Sequence, residues 1–266
     1  MSYKIGFIGT GVMGGALARA VRKSENSVLL SNVPKSVADD LANELDCAAG
    51  DNMTVAKECE YIVLAVKPQI IREVLSEIAP VLKSRTDNYV LITIAAGIAI
   101  ETVRQETGVY CPVIRLMPNT PVLVGKGVIL CVFDGANSSQ KEEFFRMFKA
   151  AGFCDEINEG DIDAAGALTG CGPAFAYITM NSLASGAAEC GIDPEKAKKY
   201  AELTLLGAAE LAFQSGRDLE ELKQAVCSPK GTTVEGVAVL EERKVRSAFA
   251  DAVRASYKRS LELGKK

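Results

Sequence analysis

Lys4-Ile5-Gly6-Phe7-Ile8 runs directly into Gly9-Thr10-Gly11-Val12-Met13-Gly14, and few folds accommodate both halves of that string. A short apolar run closed by glycine reads as a buried strand. Glycines at this spacing then read as a tight turn opening a helix. Gly9 permits the turn, Gly11 lets the backbone approach an anion, and Gly14 lets the helix pack closely on its strand. Ala16, Leu17 and Ala20 follow at core spacing. The helix N-terminus offers free N–H groups and the positive end of its dipole, which suits a pyrophosphate. A glycine-rich turn with a packing role is the plain alternative. The strand before, the helix after and a second strand at the right distance favour a dinucleotide site that takes in Thr10, Val12 and Met13 with the three glycines.

The rest of the first half repeats the alternation of apolar runs and amphipathic stretches. Strands are expected at 3–8, 27–30, 61–66, 89–95, 113–116 and 128–133, with helical spacing between them, as in Ile70, Val74, Leu75, Ile78 and Leu82. That order predicts a parallel sheet covered by helices. After about Asp161 the β-branched runs give way to Ala- and Leu-rich stretches. Asp193-Pro194 reads as an N-cap and first-turn proline opening a helix to about Phe213, and a last helix is expected from Val245 to near Leu263. At 266 residues two domains are expected. The division predicted is 1–159 for an α/β dinucleotide-binding domain and 160–266 for an all-α domain.

The end of the second strand speaks to which dinucleotide is bound. An NAD site places an acid there to grip the ribose hydroxyls, whereas this chain has Ser31-Asn32-Val33-Pro34-Lys35. Small polar groups and a cation suit a 2′-phosphate. Ser31, Asn32 and Lys35 are therefore assigned to NADPH, with NADH as the alternative; otherwise Lys35 simply starts the next helix in solvent. Three more segments sit at carboxyl ends of expected strands, where ligands of open α/β sheets bind. They are Ala65-Val66-Lys67-Pro68, Ala95-Ala96-Gly97, and Arg115 to Pro121 with Asn119 within it. Ala65, Val66, Lys67, Pro68, Ala96, Gly97 and Asn119 join the cofactor residues on that ground.

Composition removes several function classes. A net charge of -4 with scattered Lys and Arg leaves no footprint for nucleic acid. No apolar run reaches the roughly 18 to 20 residues of a membrane span, and the chain enters its first strand without the pattern of a secretory signal. Eight cysteines at irregular intervals, with no CxxC pair and no histidine, predict idle thiols rather than a metal site. A cytoplasmic enzyme is expected. The missing histidine has a further consequence, since a dehydrogenase of this sequence has no imidazole acid or base. A substrate with its own basic nitrogen would not need one.

In the second half, Ser228-Pro229-Lys230-Gly231-Thr232-Thr233 leads into Val234, Val237 and Leu240 and reads as a helix N-terminus able to hold a carboxylate. An ordinary serine or threonine cap is the plain alternative. Together with Thr169-Gly170-Cys171-Gly172-Pro173-Ala174, Val66-Lys67-Pro68, Ala95-Ala96-Gly97, Arg115 to Pro121 and the first glycine motif, this segment resembles the pyrroline-5-carboxylate reductase family over nearly the whole chain.

The resemblance implies an N-terminal Rossmann doubly wound sheet and a C-terminal helical dimerisation domain, assembled as a homodimer or a ring of dimers. It implies reduction of Δ1-pyrroline-5-carboxylate to proline, with Thr233 hydrogen-bonded to the ring nitrogen as the catalytic group. Ser228, Gly231 and Thr232 would hold the substrate carboxylate, and Pro173 would bring its helix near nicotinamide and substrate. Four positions depart from the family pattern: Thr169 and Cys171 each replace a serine, Lys230 a glycine, and Asn181 an acid. A related cyclic imine is therefore an alternative substrate. Two other classes compete. A β-hydroxyacid dehydrogenase would need a basic lysine, for which Lys196, Lys198 and Lys199 are poor candidates in a polar stretch. A non-catalytic dinucleotide-binding scaffold would have no use for Ser228 to Thr233.

Overall fold

A computed structural model describes residues 2–263. Contacts divide them into two compact units, one of 2–171 with 256–263 and the other of 172–255. The first unit runs β1 (Tyr3–Ile8), α1 (Val12–Arg22), β2 (Val28–Ser31), α2 (Lys35–Leu45), β3 (Ala48–Ala49), α3 (Asn52–Glu58), β4 (Cys59–Leu64) and α4 (Ile71–Ser84). It continues through β5 (Val90–Thr93), α5 (Ile100–Thr107), β6 (Val113–Met117), β7 (Gly127–Asp134), α6 (Ser138–Phe148), β8 (Gly152–Glu156) and α7 (Ile162–Thr169).

The strands form one sheet in the order β3-β2-β1-β4-β5-β6-β7-β8. Strand order reverses beside β1, which leaves a crevice at the carboxyl ends of β1 and β4, the general ligand position of such sheets. Side chains alternate between two apolar layers. Ile5, Phe7, Tyr61, Val63, Val90 and Ile92 face the layer containing α1, α2 and α6. Ile8, Ile62, Leu64 and Leu91 face the layer containing α3, α4 and α5. Each such fully buried aliphatic or aromatic side chain contributes about 1.5–3 kcal/mol, so both faces of the sheet are stabilised. This is the doubly wound architecture.

Three features differ from the sequence expectation. β3 and β8 carry no β-branched run; β3 is only Ala48–Ala49, and β8 is an edge strand with Phe153 exposed. β6 and β7 pair antiparallel. The intervening stretch holds only a 3-10 turn, Thr120–Val124, too short for the crossover of a dozen or more residues that parallel pairing needs. Third, α7 packs with the sheet unit: Ile162 is buried with Ile8 and Leu64, and Gly166 lies against Met117. Contacts thus carry the first unit past residue 159.

The second unit contains α8 (Gly172–Glu189), α9 (Pro194–Ser215), α10 (Leu219–Ala225), α11 (Thr232–Glu242) and the first turns of α12 (Val245–Leu263). α9 starts as expected, with the Asp193 carboxylate accepting from the Lys196 amide at 3.1 Å and Pro194 in the first turn. Asp218 caps α10 in the same way, and Arg246 ties α12 to α11 through Glu241 and to α10 through Glu220. Within this unit only Ala197 and Ala201 are buried apolar side chains, while Tyr177, Ile178, Leu203, Leu206 and Phe213 are exposed. So much uncovered apolar helix surface belongs to an interface. Among the described residues no helix is long and apolar enough to cross a membrane.

Candidate active site

The glycine turn joins β1 to α1 and is held from three sides. Gly9 has φ +98°, and a Cβ there would stand 2.7 Å from the carbonyl oxygen of Ala65. A Cβ on Gly14 would meet the Gly9 carbonyl oxygen at 2.1 Å, so neither position admits a side chain. The Thr10 amide donates to Asn32 Oδ1 at 2.9 Å, and the Gly9 amide to the Ser31 carbonyl at 2.8 Å. Turn and second strand therefore move as one piece.

What this turn presents fits an anionic dinucleotide. Gly11 caps α1 with no side-chain hydrogen bond, and no acid lies in the first helical turn. A Cβ built on Gly11 meets nothing within 4 Å, so the helix N-terminus is open to a ligand. Thr10 is buried, and its Oγ1 has no hydrogen-bond partner among the described residues; a buried hydroxyl left unpaired costs about 1–3 kcal/mol and is relieved by a phosphate oxygen. Gly9, Gly11, Ala65, Val66, Lys67 and Ile70 line a groove of about 340 Å³ here. Val12 is exposed at the start of α1, while Met13 packs against the core.

The remaining cofactor candidates divide by what their side chains already do. Ser31 is buried at the end of β2, its Oγ 2.7 Å from Asn52 Oδ1. Asn32 joins the glycine turn to the Pro34 carbonyl. Lys35 begins α2 and pairs with Asp39, yet it also lines a cleft with Ser31 and Asn32. Pro68 is half-buried before α4. Ala96 is exposed and Gly97 has φ +75° in the turn after β5; neither lines the groove.

Asn119 is buried, accepting from the Val128 amide and donating to the Thr169 carbonyl, each at 2.9 Å. It therefore braces β6, β7 and the end of α7, with one amide N–H and one lone pair left over. Arg115 is likewise buried and lies 3.3 Å from Glu159 and 3.5 Å from Asp163.

Asn52 and Glu77 carry no sequence signal for a site, although Asn52 lines both clefts beside β2 and Glu77 one of them. Asn52 follows Asp51, whose carboxylate caps α3; that cap marks the helix start alone. The Thr54 hydroxyl and amide hold the Asp51 carboxyl below its ordinary range.

In the helical unit, Ser228-Pro229-Lys230-Gly231 forms a turn closed by the Gly231 amide donating to the Ser228 carbonyl at 2.9 Å. Proline second and a positive φ third define a type II turn, and the third residue here is Lys230 with φ +63°. A Cβ on Gly231 would meet Ser228 Oγ at 2.4 Å. The cap of α11 is Gly231, with no side-chain hydrogen bond. The plain alternative of a serine or threonine cap is therefore not what forms: Ser228 supplies the turn carbonyl, and the first N–H groups of α11 stay free of a side-chain cap. Ser228, Thr232 and Thr233 are exposed. Pro173 lies in the first turn of α8, where proline carries no interior-helix penalty.

The chain's similarity to known proteins follows the same two parts. Residues 159–263 match the family model for pyrroline-5-carboxylate reductase dimerisation, and residues 4–97 match that for NADP oxidoreductase, coenzyme F420-dependent. Pyrroline-5-carboxylate reductase of Corynebacterium melassecola is 35% identical, covering 98% of each chain. That of Methanosarcina acetivorans is also 35% identical, covering 99% of this chain and 98% of its own. The crystal structure of Plasmodium falciparum pyrroline carboxylate reductase, with NADP bound, matches with a TM-score of 0.88 at 31% identity over 98% of each chain.

Proposed function

Because this chain belongs to the pyrroline-5-carboxylate reductase family, we propose that it reduces Δ1-pyrroline-5-carboxylate to proline with NADPH, and with NADH as the second cofactor. Similarity that spans 98% of the chain, and so takes in both the glycine groove and the α11 turn, carries this reading. Bound reduced nicotinamide supplies the hydride. Gly9, Thr10, Gly11, Val12, Met13 and Gly14 hold the pyrophosphate at the N-terminus of α1. Ser31, Asn32 and Lys35 shape the adenosine end, and Ala65, Val66, Lys67, Pro68, Ala96 and Gly97 the remaining wall, with Asn119 as a brace.

For the substrate, the free N–H group at Thr232 holds the carboxylate together with Ser228, while Gly231, whose own N–H closes the turn, leaves room for it to approach. Thr233, in the first turn of α11, hydrogen-bonds the ring nitrogen. Alignment of this kind replaces acid–base work by the protein, since the imine nitrogen enters protonated or takes a proton from water or a hydroxyl. The absence of histidine is then no handicap. Residues 160–266 are assigned to substrate binding and dimerisation, in keeping with the dimerisation model over 159–263. A cytoplasmic homodimer, able to assemble into a ring of dimers, belongs to the same proposal.

The β-hydroxyacid dehydrogenase reading is weaker, because Lys196, Lys198 and Lys199 are all exposed on the polar face of α9. The two are separated by supplying pyrroline-5-carboxylate with each reduced cofactor, and 3-hydroxy acids with each oxidised one, while following dihydronicotinamide absorbance. Consumption in the first assay alone is expected. Turnover of 3-hydroxy acids alone would overturn the proposal.

A further inference from the structure

Next to the glycine groove, and sharing Asn32, Val33 and Asn52 with it, lies a cleft of about 180 Å³ beside the end of β2. Its polar walls are Ser31, Asn32, Lys35, Asp51, Asn52 and Glu77. Two carboxylates thus line the place where the sequence led us to expect a phosphate pocket. The cation there, Lys35, is already paired with Asp39.

The hydrogen bonds around Asn52 have one consistent assignment. A carboxylate accepts and does not donate, so the Asn52 atom 2.8 Å from Glu77 Oε2 is the amide nitrogen. The amide oxygen then faces Ser31, 2.7 Å away. An amide oxygen cannot donate either, so Ser31 gives it the single hydroxyl proton. Ser31 Oγ is left with lone pairs alone. Such an oxygen can accept from a ribose hydroxyl, but it has nothing to offer a phosphate, which also only accepts.

We propose that Glu77 tempers the cofactor preference of this enzyme: acting through Asn52, it holds Ser31 as a hydrogen-bond acceptor and supports a free 2′-hydroxyl, which narrows the margin by which Lys35 favours a 2′-phosphate. Glu77 is a positioning residue in this scheme. The inference rests on reading the groove as a nicotinamide dinucleotide site and deepens it. Its consequence is that both NADPH and NADH are used, with a ratio governed by a residue on α4 that no glycine motif contains.

Binding of adenosine 2′,5′-bisphosphate and of 5′-AMP to the full-length protein, measured by calorimetry, tests this without any turnover. Glu77→Ala and Glu77→Gln should bind the bisphosphate about 3- to 10-fold tighter, as removal of one charge beside a dianion in water implies. Binding of 5′-AMP should stay the same or weaken by up to about threefold, and Ser31→Ala should weaken 5′-AMP but not the bisphosphate. Glu77 is exposed, so both Glu77 variants should fold. Equal shifts for both probes would reduce Glu77 to a structural role and overturn the proposal, as would unchanged or weaker bisphosphate binding. Failure of the parent protein to bind either probe would overturn the dinucleotide reading itself, and this inference with it.

Discussion

Asn32 Oδ1 accepts the Thr10 amide proton at 2.9 Å, so one side chain fixes the glycine turn to the loop after β2. Removing it frees the turn assigned above to the pyrophosphate and leaves a part-buried N–H unpaired. Asn32→Ala should therefore raise KM for either reduced cofactor by about 5- to 30-fold, equivalent to ~1–2 kcal/mol. Turnover at saturating cofactor should fall far less. Steady-state kinetics with both cofactors checks this, and a loss confined to one of them would assign Asn32 to the ribose end alone.

Thr233 lies in the first turn of α11, whose cap makes no side-chain hydrogen bond. Thr233→Val keeps the shape and removes the hydroxyl. The expected loss in kcat/KM for pyrroline-5-carboxylate is about 10- to 100-fold, or ~1.4–2.7 kcal/mol, with thermal stability little changed. A variant that melts early yet turns over normally per folded molecule would make this hydroxyl structural.

Lys230 holds φ +63° at the third position of a type II turn, a conformation that costs a residue with a Cβ roughly 1 kcal/mol. Lys230→Gly should raise Tm by the equivalent of about 0.5–1 kcal/mol. Lys230→Met, which keeps the strain, should not. Thermal denaturation of the two variants separates backbone from charge.

Arg104 donates to both oxygens of Asp134, at 3.0 and 2.8 Å, and these bonds hold the Asp134 carboxyl below its ordinary range. A carboxyl lowered on folding adds stability above its unfolded pKa, near 3.9, and that stability is lost as pH falls through the folded value. Asp134 is 44% exposed, so solvent screening keeps the contribution under about 1 kcal/mol. Parent and Asp134→Asn proteins should differ in Tm at pH 6 and converge near pH 2. A difference that persists unchanged at pH 2 would deny the linkage.

The sheet unit was legible where side chains report burial. β1 falls where its apolar run and closing glycine put it, and β4 to β7 were found to within a few residues because they are buried on both faces. Ala48–Ala49 and Gly152–Glu156 are strands through pairing with neighbours rather than through their own side chains, so no local pattern marks them. The glycine turn was legible because backbone crowding at Gly9 and Gly14 leaves no alternative residue. Ser31 was read correctly as a residue at the end of β2, but its hydrogen-bond polarity depends on Asn52 and Glu77, which come from α3 and α4. Asn119 is a ligand candidate by its position after a strand; its bracing bonds to Val128 and Thr169 are not legible in the sequence because they exist only once β7 and α7 are in place.

Transfer of label from cofactor to product tests the central claim most directly. The protein is given pyrroline-5-carboxylate and NADPH deuterated at C4 of the dihydronicotinamide ring, on each face in turn, and the product is read by mass spectrometry. The account predicts proline carrying one deuterium at C5 from one of the two cofactors, in step with cofactor oxidation. Cofactor oxidation without proline, or proline with no deuterium from either face, would contradict it.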